Sequence, residues 1–230
     1  YGIGLGGHEL AASARIDDNE QFGSNVTGSL AWGYALAPGL GVYASAGNAF
    51  KAPSFNDLYF PGFSNPRLDP EESTSVELGL RGSGSWGRWR VAAFGSDVDD
   101  LIAFDSATSR PQNIQRARLA GVEGWYGLQR GPWRLEQTLT WLDAEDRSVG
   151  PSRGRELPRR PGLSGRTMLG WRGGDWTLGT IVQFAGGRFD DVANRQPLGG
   201  YTVVDLTAAW QATRSTALQL RLANVLDRQY

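Results

Sequence analysis

Apolar and polar residues alternate with a period of two along most of this chain, and that pattern restricts it to β-structure. In Ser75–Arg81, Val76, Leu78 and Leu80 share one face, while Ser75, Glu77, Gly79 and Arg81 share the other. Between Tyr201 and Gln211, Val204, Leu206, Ala208 and Trp210 stand opposite Asp205, Thr207, Ala209 and Gln211. Trp133, Leu135, Leu139 and Trp141 alternate with Arg134, Glu136, Thr138 and Thr140. Roughly eleven such segments can be marked, near 8–17, 24–36, 40–50, 72–82, 88–102, 114–129, 133–144, 161–172, 176–188, 200–211 and 216–226. Most approach the ~10 residues that a tilted, membrane-crossing strand needs. No segment carries a convincing helical period.

The connections add a second regularity. Short ones are Ala37-Pro38-Gly39, Gly82-Ser83-Gly84-Ser85, Gly131-Pro132, Gly173-Gly174-Asp175 and Thr213-Arg214-Ser215. Long ones cover 17–23, 51–71, 103–113, 145–160 and 189–199. The two kinds alternate, so an up-and-down antiparallel meander has its short turns at one end and its long loops at the other. Outer-membrane barrels follow that rule, whereas the crossovers of a β-sandwich break it. All 11 prolines fall in connections or at strand margins, where no ladder N–H is lost. Trp86, Trp89, Trp133, Trp171, Trp176 and Trp210 sit beside short turns, as an aromatic girdle at the headgroup level requires. Glu77, Glu123, Glu136, Arg90, Arg134, Arg166, Asp205 and Arg221 lie on the polar strand faces. They are expected to face a lumen, because an arginine in lipid is costly.

Composition narrows the function. The chain has 230 residues, enough for one large all-β domain, and no apolar run long enough for a spanning helix. A net charge of -1 gives no field that favours nucleic acid. There is no cysteine, and the single histidine, His8, stands near the start, which argues against thiolate chemistry, histidine catalysis and a multi-histidine metal site. Gly2–Gly7 lacks the lysine and following helix of a phosphate loop. Asp17, Asp18, Asn19 and Glu20 lack the spaced ligands of a dedicated calcium loop. Tyr1-Gly2-Ile3-Gly4 does not resemble a signal peptide, so the chain is expected to be a mature protein or a fragment.

Five short stretches carry a family resemblance. They are Phe50-Lys51-Ala52-Pro53-Ser54 with Leu58-Tyr59 and Asn65-Pro66-Arg67-Leu68-Asp69-Pro70-Glu71; Asp97-Val98-Asp99-Asp100-Leu101-Ile102; Gly121-Val122-Glu123-Gly124; Leu157-Pro158-Arg159-Arg160-Pro161; and Asn224–Tyr230. In this order they resemble the barrel of TonB-dependent outer-membrane receptors, most closely the vitamin B12 (cobalamin) receptor branch, with siderophore receptors the nearest alternative. The resemblance implies an all-β, antiparallel up-and-down meander of about 11 long strands, part of a transmembrane outer-membrane β-barrel of about 22 strands. It places residues 1–230 in the C-terminal half of such a barrel, with the plug domain, its energy-coupling box and the final strand outside the chain. On that reading the chain alone is not a competent transporter, since open strand edges in lipid are costly.

The implied activity is import of cobalamin or of a ferric siderophore, energised by TonB through the plug domain, in the outer membrane of a Gram-negative bacterium. The implied partners are that ligand, outer-membrane lipid and lipopolysaccharide, with no nucleic acid, no cofactor and no enzymatic role. Phe55, Tyr59 and Phe60, with Phe63, form a candidate ligand-gripping rim; packing of their loop onto the barrel is the alternative. Arg159 and Arg160, in a loop with Arg153 and Arg155, and Arg188 with Phe189 are candidates to meet an anionic ligand group such as the phosphate of cobalamin. Solvated loop charge, or pairing with lipopolysaccharide phosphates, is the alternative. An outer-membrane enzyme needs a Ser–His or carboxylate pair at the rim, which is not evident; a passive porin needs a constriction loop and complete closure.

Overall fold

A computed structural model describes residues 2–229, the side chains of Ile3 and Leu5 excepted; Tyr230, which closes the last family-like stretch, lies outside the described residues. Twelve strands form one antiparallel sheet in which every strand pairs with its neighbours along the chain. They are β1 (Gly2–Leu5), β2 (His8–Asn19), β3 (Gly23–Ala37), β4 (Leu40–Lys51), β5 (Glu71–Gly84), β6 (Gly87–Asp105), β7 (Arg110–Arg130), β8 (Trp133–Asp146), β9 (Leu163–Gly173), β10 (Trp176–Ala185), β13 (Tyr201–Gln211) and β14 (Ala217–Leu222). A one-turn helix α1 (Phe55–Tyr59) interrupts the β4–β5 loop, and a small hairpin of β11 (Arg188–Phe189) and β12 (Pro197–Leu198) lies between β10 and β13. Within the described residues the sheet is open, with β1 and β14 at its edges.

The meander and the segregation of its connections are as expected, but several details differ. Gly2–Leu5, discarded as a phosphate-like loop, is a twelfth strand paired with His8–Ala11. The connections 17–23 and 103–113 are not long loops. Only residues 20–22 and 106–109 turn there, because β2, β3, β6 and β7 run on as hairpins. Loop lengths therefore do not alternate strictly, although the two ends of the sheet do. The last segment ends at Leu222, after which Asn224 and Asp227 adopt left-handed conformations in a turn.

Register carries one face across the whole sheet. Leu78 lies opposite Ala44 and Ala93, Ala44 opposite Trp32, Ala93 opposite Val122, Val122 opposite Trp141, and Trp141 opposite Leu163. On this face Leu30, Val76 and Leu78 are 67%, 57% and 59% exposed. Such a continuous apolar surface is far larger than a water-soluble monomer tolerates and matches the lipid-facing band of a barrel. At the short-turn end the band closes with Trp133 opposite Trp171, and with Trp176 stacked on Trp210 at 5.8 Å. Trp89 lies across Gly82, at a position where any Cβ meets its indole.

The opposite face is polar. Arg81 pairs with Glu9 at 3.1 Å, Arg90 with Glu123 at 3.4 Å and Arg221 with Asp205 at 2.7 Å. Ser13–Ser29 and Ser75–Ser96 are hydroxyl pairs at 2.8 Å on one transverse row. His8 is at the short-turn end of β2, where Nδ1 accepts from the Trp32 indole at 3.0 Å.

The buried core of Val98, Leu101, Ala103, Ile114, Ala117, Ala144 and Leu157 lies at the long-loop end. Val98 and Ala117 belong to the polar face by alternation, whereas Leu101 and Ile114 belong to the apolar one. Asp100, at φ +53°, resets which side chains point inward without changing the strand register. Above that residue β6 and β7 leave the band and become the floor on which the loops pack.

Candidate functional site

The lip begins with a local sequence signal. Pro53 precedes Ser54, whose hydroxyl accepts from the Asp57 amide at 3.2 Å while the Asp57 carboxylate accepts from the Ser54 amide at 3.0 Å. This capping box starts α1, and Pro61 prevents its continuation. Leu58, 3% exposed, anchors the helix, which leaves Phe55, Tyr59 and Phe60 at 75%, 47% and 45% exposure. Phe55 and Tyr59 rings meet at 5.2 Å, one helical turn apart. The Tyr59 hydroxyl donates to Gln21 Oε1 at 3.3 Å, tying the lip to the β2–β3 hairpin.

The rest of the lip is fastened to β7. Asn65 Nδ2 donates to the Pro111 carbonyl at 3.1 Å. Asn113 accepts from the Asp69 amide and donates to its carbonyl, both at 3.0 Å, as a backbone neighbour would. The stretch Asn65–Glu71 is thus a structural clasp, with Leu68 only 3% exposed beneath it.

Two further loops complete the mouth. Residues 147–162 fold inward on Leu157, 1% exposed, whose amide donates to the Ala144 carbonyl at 2.9 Å. Asn194, at φ +54°, exchanges two 2.8 Å bonds with the Glu156 backbone and so joins this loop to 186–200. The buried Asp191 carboxylate accepts from the Arg195 and Gln196 amides at 2.8 Å, which holds the turn between β11 and β12.

An aromatic line connects the lip to the arginines. Phe60 packs on Phe63 at 4.7 Å and Phe63 meets Phe104 edge-on at 6.3 Å. The Arg159 guanidinium lies 4.7 Å over Phe104 and donates to Asp190 at 2.6 Å, while its amide donates to the Phe189 carbonyl at 2.7 Å. Arg159 therefore joins its own loop and the 186–200 loop to β6. Its guanidinium, as the Asp190 carboxylate's closest partner, holds that acid below the usual carboxylate range, with Ser106 assisting.

Arg160 and Arg188 are placed otherwise. Arg160 is half-buried, donates to the Pro158 carbonyl at 3.4 Å, and is pulled below its ordinary pKa by burial, an effect that Glu71 opposes. Arg188 stands 5.3 Å over the Tyr201 ring, and its Nη1 is buried without a partner. Arg153 is exposed on the outer part of its loop. Phe104, Asp190, Asn113 and Asn194 were not singled out from the sequence. Only the Asn and Asp preference for turns hinted at any of them.

The structure brings Phe60, Arg159, Arg160, Arg188 and Phe189 to one mouth, with Tyr59 and Phe55 on its outer lip. The cluster Asp17–Glu20 is used locally: Asp17 pairs with Arg15, Asp18 accepts from Ser24, and Asn19 accepts from the Gln21 and Phe22 amides. Among the described residues no three His, Asp or Glu side chains gather as a metal site. The arrangement sets aromatic surface beside cations at the loop end of the sheet.

A family profile described as "TonB dependent receptor-like, beta-barrel" matches residues 3–225. The vitamin B12 transporter BtuB of Photobacterium profundum is 34% identical over 229 residues, covering 96% of this chain and 37% of that protein. BtuB of Vibrio cholerae is 33% identical with 96% and 36% covered. Among solved structures, the copper transporter OprC superposes with a TM-score of 0.75 at 21% identity, over 99% of this chain and 40% of that one. The ferric enterobactin receptor PfeA of Pseudomonas aeruginosa gives 0.77 at 20% identity, over 97% and 38%. These distant likenesses establish the fold, and the chain spans little more than a third of the curated relatives it matches. With nearly its whole length matched by the family profile, the chain belongs to the TonB-dependent receptor β-barrel family.

Proposed function

We propose that this chain forms the C-terminal part of the wall, and the adjoining mouth, of an outer-membrane receptor that imports cobalamin. The observation that carries the ligand is the identity of 34% with a vitamin B12 transporter across almost the entire chain. The architecture suits the task. The apolar face meets lipid, the loop end meets the exterior and lipopolysaccharide, and the polar face lines the passage. Energy comes from TonB through a plug domain that occupies the lumen. The mouth itself binds and orients.

A corrinoid is a wide, partly apolar disc, which the exposed faces of Phe55, Tyr59 and Phe60 can cover. In the complete receptor, replacing Tyr59 and Phe60 together by Ala is expected to weaken cyanocobalamin binding about tenfold or more, since each lost aromatic contact is of the order of 1 kcal/mol beyond its buried area. The heat-modifiable gel shift of the folded barrel should be unchanged. Unaltered affinity removes the aromatic lip from the site. Binding of ferric enterobactin, with no cyanocobalamin bound, replaces the corrinoid with a ferric chelate.

A further inference from the structure

A depression interrupts the apolar face near the short-turn end of β9, β10, β13 and β14. Thr180 lies between Leu169 and Leu206, and Ala208 lies between Leu178 and Leu220. Two small side chains among large ones make the floor of a dish of about 580 Å³, which the leucines surround. Trp133 and Trp171, opposite each other by register, form its rim on the β8 side. The stacked pair of Trp176 and Trp210 lies on the turn side, where the Trp171 indole also folds over Gly173. A void with apolar walls forfeits their dispersion contacts unless something fills it. The size is within the ~300–1,000 Å³ typical of small-molecule sites.

A cation beside the dish indicates the other end of its occupant. Alternation along β7 puts Arg130 on the lipid-facing side with Val122 and Leu128, and register sets it opposite Trp133. It is the last residue of β7 before the Gly131-Pro132 turn, and so stands at the headgroup level with the tryptophans. Arg130 is exposed, and among the described residues no carboxylate pairs with it. Glu136, on the adjoining strand, is bound to Arg134 at 3.0 Å. An unpaired arginine on a lipid-facing surface is costly within the hydrocarbon but complements a lipid phosphate at its edge. Its long aliphatic stem can lie along the apolar wall while the guanidinium reaches the headgroups.

We propose that this dish seats one phospholipid of the periplasmic leaflet. An acyl chain fills the hollow over Thr180 and Ala208, and the phosphate is held by Arg130 beyond the rim of Trp133 and Trp171. The planar guanidinium can meet two phosphate oxygens at once. The proposal rests on the receptor reading above only in placing the short turns on the periplasmic side. It concerns the outer wall, away from the mouth and from the polar face.

The test uses the complete receptor, delipidated in detergent and followed by native mass spectrometry. It is titrated with dioleoylphosphatidylglycerol and, separately, with dioleoylglycerol, which has the same chains and no phosphate. Wild type is expected to hold one phosphatidylglycerol more tightly than any further copies. Ala208→Phe fills the dish with another apolar side chain and should weaken both lipids about tenfold or more. Arg130→Gln should weaken phosphatidylglycerol about tenfold and leave dioleoylglycerol unchanged, with Arg130→Lys between. Leu30→Phe, on the same face but over at β3, should alter neither. Lipid binding that is indifferent to Ala208 and Arg130 overturns the seat. So does a receptor dimer that Ala208→Phe dissociates, which gives the dish to a second copy. Cyanocobalamin binding on the same samples keeps the two readings apart. A wild type that holds the lipid but no cyanocobalamin overturns the receptor's ligand and leaves the seat standing. The gel shift of the folded barrel separates each result from misfolding.

Discussion

Ala44 and Ser45 are adjacent on β4 and, by register, face opposite media. Ala44 lies between Trp32 and Leu78 on the apolar face; Ser45 lies between Ala31 and Glu77 on the polar one. An arginine at the middle of a barrel's lipid face costs about 2–4 kcal/mol, which is roughly a 30- to 700-fold shift in the folding equilibrium. At Ser45 the same side chain meets Glu77 directly across the strand pair, worth about 0.2–1 kcal/mol of attraction. Bulk is removed from the comparison by making Gln variants at both sites, which are nearly as long but uncharged. The Arg-minus-Gln difference should be about 2 kcal/mol or more destabilising at Ala44 and zero or slightly stabilising at Ser45. Denaturant titration of the complete barrel refolded in vesicles, read by the heat-modifiable band, gives both differences. Equal penalties, or a larger one at Ser45, refute the assignment of faces and with it the lumen position of Glu77.

Gly82→Ala should cost about 1–3 kcal/mol by displacing the Trp89 indole, whereas Gly124→Ala, with nothing within 4 Å of the new methyl, should be nearly neutral in the same titration. Leu157→Ala removes the main anchor of the 147–162 loop, worth about 2–5 kcal/mol. Trypsin should then cut at Arg153 or Arg155 at least about tenfold faster while the barrel stays folded. The Asp190 clasp has a defined pH sign. Because Arg159 lowers its folded pKa, the clasp contributes fully above the unfolded carboxylate value near ~3.9 and is lost as pH falls through the lower folded value. Hydrogen exchange at the Arg159 amide should accelerate beyond its intrinsic acid profile in that window, and Asp190→Asn should abolish the step.

Strands and faces were legible because lipid and lumen impose opposite polarity on successive residues. Val76, Leu78 and Leu80 needed no structural knowledge to be placed together. The extensions of β6 and β7 were not legible, since Asp100 reverses the inward set and breaks the alternation expected of one strand. Gly2–Leu5 reads as a loop by propensity, and only pairing with β2 makes it a strand. A five-residue helix is too short to display a 3.6 period; Ser54 and Asp57, three apart after a proline, were its one local sign. The aromatic and arginine composition of the mouth was visible, but the division of labour among its arginines was not. It depends on Phe104 and Asp190, which reach Arg159 from β6 and from the 186–200 loop.

That division has a thermodynamic consequence. Loops that order only on binding subtract their entropy from affinity. Here the roots of three loops are already fixed by side chains standing in for backbone: Asn113 on Asp69, Asn194 on Glu156, and Asp191 on Arg195 and Gln196. Arg159 then locks the lip to the inner hairpin through Phe104 and Asp190. What stays exposed is a small set of surfaces, the rings of Phe55, Tyr59 and Phe60. On the proposed function, a ligand meeting such a mouth has little chain to order and meets the aromatic lip first. Affinity should therefore depend more on the match between ligand chemistry and these few side chains than on loop closure, so substitutions at the clasps should slow or speed exchange of the loops while altering affinity less than substitutions at Tyr59 and Phe60.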